Sequence, residues 1–384
     1  MIIRPYREIN HMKNFFAVCS VWLGLLLLAV LVMPDAPAVA ADIPGGALFV
    51  APMLAAGFLN IRGLYSREAI IKYLTGLPLI ETVVMDSIFT FRPQHPLALI
   101  GADTINSVAR AMPLARRGGR SITVPGSSGA TGFYEPFPIH PDIFVSGVDL
   151  NNLKVIQGNQ AGLDAWAQGK TDILRRTVRA TTEALCAVSL TGKIQWPVQL
   201  EGGGFETYEV DFGAIQTFAP AVKWSDGAAK LKDVFLTLRG MHKKLKEKGY
   251  GGRVEFWAGE TAYNTLFALA EGFVSTAQLT VAISDAGINI GGYLVKPRDE
   301  MYYNPQTKAM VPIVAAKFVK AIALDAGHQM PYCAIDDLDG NLQPMPFFVK
   351  PIKSENPSGY QLVAESKPFP IPNVDGICDA QVIA

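Results

Sequence analysis

The chain has 384 residues, 49% hydrophobic and 18% charged, with 34 basic side chains balanced by 34 acidic ones. That is enough for two ordinary domains or one elaborated domain, with ample apolar material for a core. A net charge of zero gives no sign of a nucleic-acid or acidic-substrate partner, although one basic face remains compatible with it.

The first 41 residues read as a leader. Arg4, Arg7 and Lys13 precede an apolar run from Phe15 to Met33, and Pro34 breaks it. Ala36-Pro37-Ala38-Val39-Ala40-Ala41 then supplies small residues of the kind that signal peptidase accepts. The 19-residue run is also just long enough to span a bilayer. No cysteine closes the run, so a lipoprotein anchor is excluded.

From Ile43 to Asn60 the chain is small and apolar with little pattern. Ser66 is placed to open a short helix, with Ala69, Ile70, Tyr73 and Leu74 on one side and Gly76 stopping it. Asp103–Ala111 reads as a strand or short helical turn. Residues 113–150 read as a long β-hairpin. Arg116-Arg117-Gly118-Gly119-Arg120 and Ser121–Val124 lead to a tip at Pro125–Gly132, and the proline-stiffened Glu135–Pro141 returns. A two-stranded arm of that length is marginal alone and has to lie on something else.

The longest predicted element runs from about Ala161 to Leu190. Leu163, Trp166, Ile173, Leu174, Val178, Leu185 and Val188 share one face at ~100° per residue. Arg175, Arg176, Arg179 and Glu183 project from the other face. Asp172–Arg176 and Arg179–Glu183 have the spacing of four-residue ion pairs, each worth only ~0.3–0.5 kcal/mol. Gly169 is a weak point, and Thr171 is an alternative N-cap for a shorter helix.

Beyond that helix, Gly192 and Pro197 introduce extended chain, Gly202-Gly203-Gly204 makes a turn, and Phe205–Phe212 reads as a strand ending at Gly213. Ser225–Gly249 is predicted helical, with Leu231, Val234, Phe235, Leu238, Met241 and Leu245 as its stripe. Lys243, Lys244, Lys246 and Lys248 load its C-terminal end, with Gly249 just past it. Val254–Trp257 is a predicted strand and about Glu260–Phe273 a helix. Short strands are expected near Leu279–Ile283, Tyr293–Val295 and Val311–Ile313, a turn at Asp339-Gly340-Asn341, and strand-like chain from Pro344 to Ala384. The pattern is α+β, with no strict βαβ schedule and no repeat of fixed period.

Chemistry finds little support. Gly-Ser-Ser-Gly at 126–129 is neither Gly-x-Ser-x-Gly nor a phosphate loop, and it reads as a hairpin tip. Asp337-Leu338-Asp339-Gly340-Asn341 resembles the start of a calcium loop, but Phe348 stands where the bidentate acid belongs. His11, His95, His140, His242 and His328 show no metal spacing, and Cys19, Cys186, Cys333 and Cys378 are too scattered for a zinc site and read as free thiols. Neither catalytic, cofactor-binding nor metal-ligating residues are predicted. Projecting arms without a site point to assembly.

The order of parts from about Tyr65 onward resembles the tailed-phage major capsid proteins of the lambda protein E family. Tyr65-Ser66-Arg67-Glu68-Ala69-Ile70-Ile71 resembles that family's N-terminal start, the hairpin at 113–150 its extended loop, and the helix at 161–190 its spine helix. Phe205-Glu206-Thr207-Tyr208-Glu209-Val210-Asp211-Phe212-Gly213 is similar to the stretch after that helix, and Lys223-Trp224-Ser225 to the step before the next one. Val254-Glu255-Phe256 resembles part of the axial domain. Glu365-Ser366-Lys367-Pro368 and Asp379-Ala380-Gln381-Val382 resemble the closing strands.

The resemblance implies an α+β, Hong Kong 97-like capsid fold. Its expected parts are a leader or fused start at 1–41, an N-terminal arm and linker at 42–112, and the extended loop at 113–150. A peripheral domain with the spine helix and a β-hairpin insertion is expected at 151–252, an axial domain at 253–340, and returning C-terminal strands at 341–384. It implies a non-enzymatic shell subunit of a phage or prophage, assembled in the host cytoplasm as hexamers and pentamers around double-stranded DNA. The implied partners are other copies of the chain, with scaffold, portal and decoration proteins. Arg116, Arg117, Arg120, Arg175, Arg176, Arg179 and Glu183 are the expected assembly contacts, with the loop landing on a neighbour's spine helix. The leader conflicts with this reading, because shells fill with DNA in the cytoplasm; a downstream start at Met53 or a fused leader is expected. The competing readings are an exported binding protein or enzyme with a genuine signal peptide, and a nanocompartment shell on the same fold.

Overall fold

The computed structural model describes residues 60–101, 133–156, 159–273 and 279–384. The chain divides into two units, Met1–Phe58 and Leu59–Ala384. The leader-like run, Asp103–Ala111, the Gly-Ser-Ser-Gly tip and Arg116, Arg117 and Arg120 all lie outside the described residues.

Asn60 caps α1 (Ile61–Leu64) by accepting from the Gly63 N–H at 3.0 Å. Ser66 caps α2 (Arg67–Gly76), accepting from the Ala69 N–H at 3.3 Å, where the sequence places it. Then come α3 (Val83–Ser87) and the short strands β1 (Gln94–His95), β2 (Ile100–Gly101) and β3 (Phe133–Tyr134). Strand β4 (Asp142–Ser146) leads directly into α4 (Gly147–Leu153), where Ser146 and Asp149 form a capping box.

Helix α5 spans Gln160–Ser189, thirty residues, or about 45 Å. Asn159 is its cap, accepting from the Gly162 N–H at 3.2 Å. Thr171 therefore does not start a shorter helix; it is buried mid-helix with its hydroxyl donating to the Ala167 carbonyl at 2.9 Å. Leu163, Ala167, Leu174, Val178, Leu185 and Cys186 form the buried face. Ile173, expected in that stripe, is 52% exposed, because the stripe follows 3.6 residues per turn through Leu174 and Val178 and leaves position 173 outside it.

Gly192 ends the helix with φ +89°, and a Cβ there would stand 2.4 Å from the Gly213 carbonyl oxygen, so only glycine makes this corner. The chain then enters an antiparallel ribbon of β5 (Lys193–Gln199) and β6 (Phe205–Asp211), in register from Lys193↔Asp211 to Gln199↔Phe205.

The largest layer is a seven-stranded sheet. Its strands are β7 (Gln216–Thr217), β8 (Val254–Ala258), β9 (Val281–Ser284), β10 (Gly287–Ile290), β11 (Tyr293–Pro297), β14 (Phe318–Ala323) and β18 (Ile377–Gln381), in the order β7-β18-β14-β8-β11-β10-β9. Helices α6 (Leu231–Glu247) and α7 (Glu260–Glu271) pack on this sheet, with Val234, Leu238, Met241, Leu245 and Leu266 meeting Phe256, Ile288, Val295 and Val319. Helix α6 begins at Leu231 instead of Ser225 because the Asp226 carboxylate accepts from the Ala228 N–H at 2.9 Å and holds a turn there. The sequence boundary at 252 cuts through this layer: α6 lies before it but belongs to the sheet's core.

A second core joins α1, α2 and α5 to a three-stranded sheet of β16 (Phe348–Ser354), β17 (Gly359–Glu365) and β4. The antiparallel hairpin of β12 (Met301–Asn304) with β13 (Ala309–Pro312), the long-range parallel pair of β1 with β15 (Tyr332–Cys333), and β2–β3 complete the described strands. Cys186, Cys333 and Cys378 are free and buried, as their spacing predicts.

Candidate assembly surface

The polar face of α5 is where the sequence places a neighbour's landing site. In the structure most of it is already covered by the chain's own residues 78–92. Glu183 accepts from the backbone N–H groups of Val84 at 2.6 Å and Met85 at 2.8 Å, at the start of α3. Burial pushes its carboxyl up, and those backbone donors only partly offset the effect. Arg179 donates to both Asp86 oxygens, at 2.7 and 2.9 Å, and to the Thr82 hydroxyl at 3.2 Å. The Arg179–Glu183 pair expected from spacing is thus replaced by a long-range pair with Asp86.

Arg92 completes the clasp, donating to Asp86 at 2.7 Å and to the Phe89 carbonyl at 2.8 Å, and also to the Met85 carbonyl. Burial raises the Asp86 carboxyl, but hydrogen bonds from Arg92, Thr82 and Arg179 outweigh it and hold the group well below the usual carboxylate range. Arg175 donates to the Pro78 carbonyl at 2.8 Å and to Asp172 at 2.9 Å. Arg176 pairs with Asp172 at 2.7 Å, the spacing-predicted bond, and its side chain remains 57% exposed. Of the four residues expected on this face, Arg176 is the one left facing solvent.

The ribbon after α5 is the contrasting surface. Ile194, Trp196, Tyr208 and Val210 turn inward, onto a cluster with Ile100, Phe212 and Phe369. Gln195, Gln199, Phe205, Thr207, Glu209 and Asp211 are exposed on the other side. Lys193 reaches Asp211 at 2.9 Å and, more loosely, Glu209 at 3.8 Å. The base of the 102–132 segment stands beside this ribbon. Gly101 pairs with Phe133, Ile100 with Tyr134, and the Tyr208 hydroxyl donates to the Glu135 carbonyl at 2.8 Å. This part of the surface was legible as an extended stretch but its charge was not singled out from sequence.

Sites for chemistry are sparse. Among the described residues no group of three His, Cys, Asp or Glu side chains is placed to hold a metal ion, and no helix is long and apolar enough to cross a membrane. A cleft of about 350 Å³ lies between the ribbon and the return segment; it is lined by prolines and aromatics, and His140 and Tyr208 are its titratable members. His328 is buried, with its ring nitrogens bonded to the Ala323 carbonyl at 3.1 Å and the Asn373 N–H at 3.0 Å; burial lowers it to about 4. It is a structural histidine. Lys350 bridges Asp337 at 2.6 Å and Asp339 at 3.0 Å, so a lysine occupies the place where a calcium loop would hold its ion.

Residues 66–382 match the model of the family described as phage major capsid protein E. No curated protein matches the chain. Among solved structures, a protein assigned as a capsid protein of an E. coli CFT073 prophage is 15% identical, with 83% of this chain and 98% of that one covered and a TM-score of 0.51. A phage-related protein from Bordetella bronchiseptica RB50 is 10% identical over 82% and 96%, with a TM-score of 0.40. A virus-like particle from Pyrococcus furiosus gives 10%, 82%, 97% and 0.37. The fold is the Hong Kong 97-like phage capsid fold, and the chain belongs to the phage major capsid protein E family, whose role is structural.

Proposed function

We propose that the chain assembles with copies of itself, as hexamers and pentamers, into an icosahedral shell around double-stranded DNA, without catalysing a reaction. The observation that carries this reading is the family match over residues 66–382, which takes in both cores. The core of α5 with the three-stranded sheet is read as the peripheral domain, and the seven-stranded sheet with α6 and α7 as the axial domain. Residues 102–132, leaving from one β pair, are read as the extended loop. Scaffold, portal and decoration proteins are the partners such a shell takes, the cytoplasm its place of assembly and the virion its destination.

The physical basis is repetition. Each contact between copies is moderate, and closure of a shell multiplies it, as linked sites gain avidity without new chemistry. Purified protein concentrated at neutral pH should form rings or shells in negative-stain electron microscopy and sediment as large particles. A monomer that persists at high concentration would overturn the reading.

A further inference from the structure

The cleft between the β5–β6 ribbon and the return segment is rich in rings and poor in free hydrogen-bonding groups. It holds about 350 Å³. Phe137, Trp196 and Tyr208 supply its aromatic surface, and Pro136, Pro138, Pro197, Pro368 and Pro370 form much of the remaining wall. Phe137 meets the Tyr208 ring edge-on at 4.7 Å between centroids and is still 43% exposed. An aromatic ring left in water at that level forgoes much of the ~1.5–3 kcal/mol that full burial brings.

The wall decides what kind of chain fits. The ribbon turns the side chains of Trp196, Val198 and Tyr208 toward the cleft and pairs its two strands with each other. Ile139 exchanges both of its backbone bonds with Ser366, and the Glu135 carbonyl accepts from Tyr208. The prolines have no N–H. A strand laid on this wall finds no ladder, at ~1–3 kcal/mol for each backbone group buried unpaired. A helix about 10–12 Å across fills ~400 Å³ or more per turn, which exceeds the whole cleft. A polyproline II segment fits both limits. It has no internal hydrogen bonds to preserve, its prolines bring no N–H, and their rings pack on aromatic faces. Its carbonyls need donors, and the half-buried Trp196 indole N–H has no partner among the described residues. The rim is acidic. Glu206 is exposed on the same side of β6 as Tyr208, opposite Val198, and exposed Glu135 adjoins Pro136. Among the described residues no lysine or arginine lines the cleft.

We propose that this cleft binds a proline-rich, basic segment of a partner protein in the polyproline II conformation. The ligand's prolines lie against Phe137, Trp196 and Tyr208, and one of its carbonyls accepts from the Trp196 indole. Its basic residue stands beside Glu206 and Glu135, where the charges are complementary. The cleft lies within one subunit, so the inference goes beyond the shell reading and does not depend on it.

Fluorescence anisotropy on the full chain tests this, with a labelled peptide that carries repeated Pro-x-x-Pro and one flanking arginine. Binding should be saturable. Alanine in place of the peptide's prolines should weaken it at least tenfold, and glutamate in place of its arginine about threefold. Trp196→Phe keeps a ring and removes the donor, and it should weaken binding about threefold to tenfold. Glu206→Lys should weaken it about threefold and flatten its salt dependence. Gln195→Ala, on the ribbon's opposite face, should leave it unchanged. Trp196 also packs on Tyr302, at 6.1 Å between centroids, so thermal unfolding of Trp196→Phe is measured alongside. Should that variant melt early, Glu206→Lys and the peptide series carry the test. No saturable binding, the result expected if another part of the chain fills the cleft, would overturn the proposal. Equal binding of the alanine peptide, or an affinity unchanged in both Trp196→Phe and Glu206→Lys, would do the same.

Discussion

The polar face of α5 and the outer face of the β5–β6 ribbon are both charged, adjacent in sequence, and opposite in fate. On α5 the charges are consumed inside the chain: Glu183 holds the start of α3, Arg179 holds Asp86, and Arg175 holds Pro78 and Asp172. On the ribbon a single lysine stands among four acids and reaches two of them, Asp211 and, more loosely, Glu209. The first face is part of folding. The second has few counter-charges among the described residues. A row of charges on an amphipathic element therefore does not identify an interface; the identity and distance of its counter-charges do.

The comparison is most exposed to failure at Glu183. Glu183→Ala leaves two backbone donors without their charged acceptor, and the dissociated subunit should lose about 2–4 kcal/mol in denaturant unfolding. A loss of only a few tenths would mean that the clasp is ornamental and that α5 is held by its apolar face alone. Next in size, Arg179→Glu should destabilise the subunit by roughly 1–3 kcal/mol, since it sets a carboxylate against Asp86. Arg176→Glu should cost at most about 0.5 kcal/mol. If Arg176→Glu nonetheless reduces shell yield, Arg176 is the part of α5 that a neighbour does touch.

A pH series sharpens the same contrast. The Asp86 carboxyl is depressed in the folded chain, so its contribution is full above the unfolded value of about 3.9 and is lost as pH falls through the lower folded value. Asp86→Asn should be less stable than the parent by a constant amount at neutral pH, and the gap should close in acid, as read by unfolding curves at several pH values. The smallest effect is expected on the ribbon. Glu201→Gln with Glu206→Gln should change subunit stability by no more than about 0.5 kcal/mol, because both side chains are exposed and neither has an ion-pair partner among the described residues.

Local signals carried far in this chain. Ser66 caps α2, Gly192 ends α5, and α5 runs from Gln160 to Ser189, within a residue of its periodicity-based limits. These features depend on residues within one turn of each other, and sequence displays them directly. What the sequence hides is contact at long range. Nothing near Glu183 tells that its acceptors will meet Val84 and Met85, about a hundred residues earlier, instead of Arg179 four residues before it. Nothing near Ser225–Lys230 separates a helical start from a turn held by Asp226. The α6 stripe was legible as a stripe, but its docking on β8 and β14 instead of α5 is a property of the whole sheet. The assembly residues divide the same way: Arg175, Arg176, Arg179 and Glu183 were visible as a charged face, and only the structure separates those bound within the chain from Arg176.

The three described cysteines carry one practical consequence. Burial raises Cys333 to about 11 and Cys378 to about 12, and pushes Cys186 upward as well. Their thiolate populations at neutral pH are minute, so maleimides and gold reagents will pass them by. A cysteine placed at Gly202, in the open turn of the ribbon and without a positive φ, will be the reactive handle among the described residues. A dye or nanoparticle attached there would mark every subunit of a particle at a known point, without first stripping the native thiols from the core.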